Sequence, residues 1–122
     1  MKRLIQSLWQ NSALFRMALF SALVVFSYLF FSQQNIPQTI AHTDKYGHAI
    51  AFFVLSALLY KSRKFSRFSQ ITLLIGYGAL VEIIQHFIPY RSASLADVAA
   101  DAAGVLLFHL IALIPWVQKK LD

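Results

Sequence analysis

Residues 82–104 read EIIQHFIPYRSASLADVAADAAG, and they place charged side chains inside the most hydrophobic part of a hydrophobic chain. A charge at the centre of a bilayer costs roughly 2.5–3.5 kcal/mol on insertion scales, yet three of the five acidic residues fall here. Glu82 and Gln85 are three residues apart, and Asp97 and Asp101 are four apart, so each pair shares one face of a helix. The stretch therefore predicts two membrane helices that turn these side chains towards each other.

The composition of the whole chain supports a membrane protein. The 122 residues suffice for one domain, residues 1–122. Hydrophobic residues make up 58% and charged residues 13%, against about 25% charged in soluble domains. The net charge of +6 comes from cations between apolar segments rather than from one basic stripe, which argues against nucleic-acid binding. The absence of cysteine excludes disulfides and thiol catalysis.

Four apolar segments have lengths suited to crossing a bilayer, although the second is marginally short. They are residues 13–31, 44–60, 69–88 and 97–115. A short turn joins the last two segments. Gly76 and Gly78 in the third segment predict close approach to a neighbouring helix. Residues 1–12 predict a short interfacial helix, with a disordered tail or an extension of the first span as alternatives.

The cations predict the orientation of these spans, because cytoplasmic loops carry an excess of Lys and Arg. Nine fall on one side of the predicted topology and two on the other. The nine are Lys2, Arg3, Arg16, Lys61, Arg63, Lys64, Arg67, Lys119 and Lys120. We therefore predict an all-α, integral membrane four-helix bundle with both termini cytoplasmic.

This topology places polar residues from three helices in the outer half of the membrane. At 1.5 Å per residue, Glu82 lies roughly 9 Å from the end of its helix, and Asp101 and His48 lie roughly 6 Å from the ends of theirs. We predict an outward-facing polar pocket that binds a ligand. Its residues are Asp44, Lys45, His48, Glu82, Gln85, Arg91, Asp97 and Asp101. His109 lies towards the inner half, so it is predicted to be structural.

The order and spacing of these residues resemble the VanZ-like family of small bacterial membrane proteins. The matching pattern covers about residues 44–108 and reads D44-K-x-x-H48-x-x-x-F52, E82-x-x-Q85, R91 and D97-x-x-x-D101-x-x-G104. Members of that family more often carry Asn where this chain has Asp101, so the local charge differs. The resemblance implies a multi-pass envelope protein located in a bacterial cytoplasmic (inner) membrane. Its founding relative is associated with resistance to the glycopeptide teicoplanin, while the biochemical activity of the family is not established.

The polar residues allow more than one interpretation. Glu82 with Arg91 and Asp97 could form a binding or acid–base site, or a clasp that fixes the helix hairpin. Removal of one partner of a buried ion pair can cost about 3–5 kcal/mol. His48 with Asp44 could be a proton acceptor and its orienting group, or a histidine hydrogen-bonded at a helix start.

A metal site could use nitrogen and oxygen ligands from the cluster, which would suit zinc or manganese. The candidate ligands are His48, Glu82, Asp97 and Asp101. No compact signature such as HExxH is present, so the sequence predicts neither a metal nor a cofactor.

The charge of the cluster indicates what it would bind. Four carboxylates against Lys45 and Arg91 leave an excess of two negative charges if all are ionised. This excess favours a cationic or amine-bearing partner, a proton, or partly protonated carboxylates, and it argues against a bare phosphate site. No Ser-x-x-Lys or Gly-x-Ser-x-Gly pattern supports a serine nucleophile.

Three functions remain open at the level of sequence. The first is an envelope factor that contacts membrane lipid and binds a lipid-linked or cell-wall-related ligand, affecting teicoplanin susceptibility. The second is a membrane enzyme with Glu82 or Asp97 as acid or base, His48 as a further catalytic candidate, and Arg91 stabilising charge. The third is a transport or assembly subunit, which would require a homo-oligomer because four spans rarely enclose a pathway alone.

Overall fold

A computed structural model describes residues 1–31, 43–88 and 95–122, and the side chains of residues 43–45 also lie outside this description. The described part of the chain is all helical, as predicted, with no β-strand. Within these ranges six helices follow one another: α1 Lys2–Trp9, α2 Ser12–Phe31, α3 Thr43–Lys61, α4 Arg67–His86, α5 Leu95–Ala112 and α6 Pro115–Leu121.

The predicted helical membrane bundle is confirmed, with α2, α4 and α5 long and apolar enough to cross a bilayer. Helix α3 contains a shorter apolar stretch, Tyr46–Lys61. The predicted segment 97–115 is too long at its end, because α5 stops at Ala112 and a separate helix, α6, begins at Pro115. Proline lacks a backbone N–H and is favoured in the first turn of a new helix. Residues 1–12 form a helix that ends at Trp9, and its interfacial position remains a prediction.

Helix α3 lies at the centre of the bundle, where it packs against α2, α4 and α5. The core contains Phe52 and Leu55 from α3, Val81 from α4 and Val105 from α5, all at most 1% exposed. Phe30 is the only buried residue of α2, so this helix directs most of its apolar surface outward. A bilayer solvates such a surface, whereas water would not.

Glycines let α3, α4 and α5 approach closely. A Cβ at Gly104 would meet the carbonyl group of Ala49 in α3 and would stand 3.1 Å from the Phe53 nitrogen. A Cβ at Gly78 would stand 2.8 Å from Oδ2 of Asp101, so the prediction for Gly78 is confirmed. The same prediction is wrong for Gly76, where a Cβ would have no neighbouring atom within 4 Å.

The short helices α1 and α6 meet at the end of the bundle that carries the α3–α4 turn. The indole Nε1 of Trp9 donates to the Lys120 carbonyl at 2.7 Å, and Lys61 lies over the Trp9 ring at 4.3 Å. Arg16 of α2 donates to the Ser62 carbonyl at 3.2 Å. The cations thus gather at one end of the bundle, and the cytoplasmic location of that end remains a prediction.

Candidate functional site

Three helices each contribute one buried ionisable side chain to a common point at the other end of the bundle. His48 comes from α3, Glu82 from α4 and Asp101 from α5, and they are 7%, 6% and 1% exposed. One nitrogen or oxygen atom from each lies within 4.8 Å of the others. We call these three residues the buried triad. Its members are separated by up to 53 positions in the chain, so tertiary packing alone brings them together.

Within the buried triad, His48 and Asp101 form a direct pair. Nδ1 of His48 and Oδ1 of Asp101 share a hydrogen bond of 2.7 Å. The imidazole stacks on the Phe30 ring with a centroid distance of 4.8 Å and an interplanar angle of 15°. The carboxylate and the aromatic ring therefore fix the position and the tilt of the imidazole. The predicted orienting group, Asp44, has a side chain outside the described part of the structure.

The second oxygen of Asp101 lies against α4. Oδ2 occupies the space that a side chain at Gly78 would fill, one helical turn from Glu82. It is buried and accepts no hydrogen bond from the described side chains and backbone. A buried carboxylate oxygen without a donor is costly, so this atom is poised to accept a further bond.

Asp97 and Gln85 have different relations to the buried triad. Asp97 precedes Asp101 by one helical turn, is 3% exposed and interacts electrostatically with His48. The Gln85 side chain donates through Nε2 to the Phe30 carbonyl at 2.6 Å. Gln85 therefore ties α4 to α2 and supports the ring on which the imidazole stacks.

Three other predicted site residues cannot be placed from the described residues. Arg91 and the side chains of Asp44 and Lys45 lie outside the description, so the predicted clasp of Glu82, Arg91 and Asp97 stays a prediction. Sequence reasoning missed Phe30, which contacts the triad from α2. Its sequence signal was weak because Phe30 is one of 11 phenylalanines in an apolar chain.

An open groove between α4 and α5 leads to the buried triad. It has a volume of about 510 Å³, and its walls are almost entirely apolar. The lining residues are Ala79, Glu82, Ile83, His86, Phe87, Leu95 and Val98. Glu82 belongs both to this groove and to the triad, so one member of the triad borders the groove.

His109 lies outside this site, as predicted. Arg67 of α4 approaches Nδ1 of His109 at 3.1 Å and donates to its carbonyl at 3.3 Å. His109 is 3% exposed, so it matches His48 in burial while lying at the opposite end of the bundle. Because His109 is as buried as His48 but lies outside the site, a substitution at His109 serves as the control for a substitution at His48.

A bundle of apolar helices around an internal cluster of ionisable side chains defines a multi-pass membrane protein with a buried polar site. The family model described as VanZ/LLP1 matches residues 2–116, and the chain belongs to this family. The predicted resemblance is thus confirmed, and the match extends well beyond residues 44–108.

One curated relative is the uncharacterized membrane protein YwnJ of Bacillus subtilis (strain 168), which is 35% identical over 79 residues. This alignment covers 65% of the chain and 54% of the relative, so the chain spans about half the length of that protein. No solved structure matches the chain.

Proposed function

We propose that this VanZ-family protein is an envelope factor that binds a lipid-linked, cell-wall-related ligand. The apolar part of the ligand would lie in the α4–α5 groove, and its polar head would reach Glu82. The observation that supports this proposal is the double position of Glu82, which lines the groove and also belongs to the buried triad.

The dimensions and chemistry of the groove suit an amphiphile. Its volume of about 510 Å³ lies within the roughly 300–1,000 Å³ of small-molecule sites. Ile83, Leu95 and Val98 offer apolar walls, which would hold the hydrocarbon part of such a ligand by van der Waals packing. Because the groove opens between two spanning helices, a chain anchored in the bilayer could enter it sideways without leaving the hydrocarbon.

The acidic character of the site limits the chemistry of the polar head. Carboxylates accept hydrogen bonds and attract positive charge. A head group with amine or hydroxyl donors would satisfy them directly, whereas an anionic head would require a bound cation between it and the protein. The predicted orientation, with both termini in the cytoplasm, would place the site in the outer half of a bacterial inner membrane, where lipid-linked wall precursors are used.

Binding is tested with purified protein in nanodiscs and a lipid-linked cell-wall precursor as the probe. We expect Glu82→Gln to weaken binding at least about tenfold, which corresponds to about 1.4 kcal/mol. Ile83→Trp should block the groove, whereas Leu80→Trp, on an exposed position of α4 outside the groove, should bind normally. Equal binding by Ile83→Trp and Leu80→Trp would refute the groove as the site.

The family resemblance supplies the cellular test. Cells that express the protein are compared with cells that carry Glu82→Gln or Asp97→Asn at equal protein levels, with His109→Gln as the control. We expect the first two variants to change teicoplanin susceptibility and the control to leave it unaltered. If neither variant alters any envelope phenotype, the proposal fails.

The His48–Asp101 pair favours a second candidate function, an enzyme acting on a lipid-borne substrate. A histidine oriented by a carboxylate is a common general base, and Glu82 or Asp97 could supply the acid. Purified protein would then convert a lipid-linked precursor, and His48→Gln would abolish turnover while His109→Gln would not. If the protein binds the precursor without converting it, the enzymatic function is refuted and only the binding function remains.

A further inference from the structure

We propose that the buried triad of His48, Glu82 and Asp101 is a binding site for one divalent transition-metal ion, zinc or manganese. The inference concerns the cluster that the proposed ligand would reach, but it does not depend on lipid binding. It depends on the convergence of three ligand-type side chains and on the unsatisfied Oδ2 of Asp101.

The separations between the three side chains are close to those of a metal site. Zinc takes nitrogen and carboxylate ligands at about 2.0–2.2 Å, which places neighbouring ligands of a tetrahedral ion roughly 3.4 Å apart. The triad atoms lie within 4.8 Å of one another, and His48 and Asp101 are already 2.7 Å apart. The separations therefore differ from that of a tetrahedral site by about 1.4 Å at most, a change within reach of side-chain rotation.

The donor set has the right chemistry. One imidazole and two carboxylates supply nitrogen and oxygen ligands, which suit zinc and manganese. On binding, the proton shared by Nδ1 of His48 and Oδ1 of Asp101 leaves to solvent, and the metal replaces it between the two atoms. A fourth position is open to the Asp97 carboxylate, to water or to a ligand head group, as in sites where zinc keeps one exchangeable position.

The surroundings also favour an ion over a purely structural hydrogen bond. Asp101 is 1% exposed, and its Oδ2 accepts no hydrogen bond within the described chain. A dication bound by both oxygens of the carboxylate would give Oδ2 a partner in a medium where lone polar atoms are costly. The Phe30 ring stacked on His48 holds the imidazole and excludes water, as apolar shells of metal sites do.

Short sequence motifs could not reveal this site, which explains why the sequence predicts no metal. Its three residues occupy positions 48, 82 and 101 on three different helices, so no HExxH-like spacing arises. The metal would also alter the head-group chemistry of the proposed ligand, because a bound dication accepts phosphate oxygens that bare carboxylates repel.

The first experiment measures metal content in full-length protein purified in detergent and dialysed after equilibration with zinc, with manganese or with magnesium alone. We expect about one zinc or manganese ion per chain and no retained magnesium. Asp101→Asn and His48→Asn should each lower the amount of metal retained after dialysis at least tenfold, while His109→Gln should retain the ion. Wild-type protein that retains neither zinc nor manganese would overturn the proposal without recourse to any variant.

The second experiment identifies a ligand directly. The chain contains no cysteine, so His48→Cys introduces a single thiol, and Co²⁺ bound by that thiolate would show a sulfur-to-cobalt charge-transfer band. His109→Cys is the matched control and should show none. A folded His48→Cys variant without the band, or equal bands in both variants, would contradict coordination at position 48. Loss of lipid binding with retained metal would instead contradict only the function proposed above.

Discussion

Gly104→Ala is expected to separate α3 from α5 and to disrupt the buried triad at the same time. The added Cβ would stand 3.0 Å from the Ala49 carbonyl carbon and 3.1 Å from the Phe53 nitrogen, with the Ala49 oxygen as its nearest neighbour. Optimal contacts between carbon atoms are about 3.5–4.0 Å. All three neighbours are backbone atoms, which cannot rotate away, so the helices must move apart by about 0.5–1 Å.

The size of the effect follows from this displacement. A gap of about 0.5–1 Å forfeits a quarter to a half of the dispersion energy of each contact that it opens, and overpacked cores lose about 1–3 kcal/mol. We expect a loss of about 3 kcal/mol, at the upper end of that range, because α3 and α5 form the most extensive interface of the bundle. His48 adjoins Ala49 and Asp101 lies one turn before Gly104, so the hydrogen bond between them should lengthen.

The free energy of unfolding is measured by denaturation of the purified protein in mixed detergent micelles, alongside Gly76→Ala as the control. Gly76 has open space around it, so the same substitution there should stabilise the helix by about 0.5–1 kcal/mol. Stability of Gly104→Ala within about 0.5 kcal/mol of wild type, or a larger loss in Gly76→Ala, would refute close packing of α5 on α3.

Three further outcomes are expected. Gly78→Ala should cost about 1–3 kcal/mol of stability, because the Asp101 Cβ would stand 3.1 Å from the new methyl group and side-chain rotation does not move it, and displacement of the carboxylate should weaken metal retention after dialysis; unchanged retention would argue against coordination by Asp101. Trp9→Phe removes the hydrogen bond to the C-terminal helix, so amide exchange in α1 should accelerate in line with a loss of about 1 kcal/mol, and unaltered exchange would show that this contact does not hold α1. For the predicted orientation, Ser94→Cys should react with a membrane-impermeant maleimide in intact cells and Lys64→Cys should not; the reverse pattern would invert the topology.

Much of the architecture was accessible from sequence because its causes are local. Span length and apolar composition identify α2, α4 and α5 without reference to packing, since a hydrocarbon core of fixed thickness imposes both. The convergence of His48, Glu82 and Asp101 at one depth was also predictable, because each is about the same number of residues from its helix end. The extra helix α6 was not predicted, since its short run after a proline carries little periodic signal.

The details of the site depended on interactions between helices. Spacing along one helix suggested Asp44 as a partner of His48, which stays a prediction because the Asp44 side chain lies outside the description. The structure shows a partner that spacing could not suggest, Asp101, 53 residues away. Gln85 was predicted to bind ligand, and its amide donates to the Phe30 carbonyl. Gly76 and Gly78 look alike in sequence, yet a Cβ at Gly78 alone would meet Asp101.

The sequence by itself determined that this chain is a membrane protein, which segments are candidate spans, and that its carboxylates must gather, because hydrocarbon penalises every isolated charge. Only the tertiary structure decided which atoms meet. Side-chain packing between segments distant in sequence sets the rotation of each helix about its axis and the closeness of α3 to α5. If Asp101 stood one position earlier or later in α5, its side chain would point away from His48.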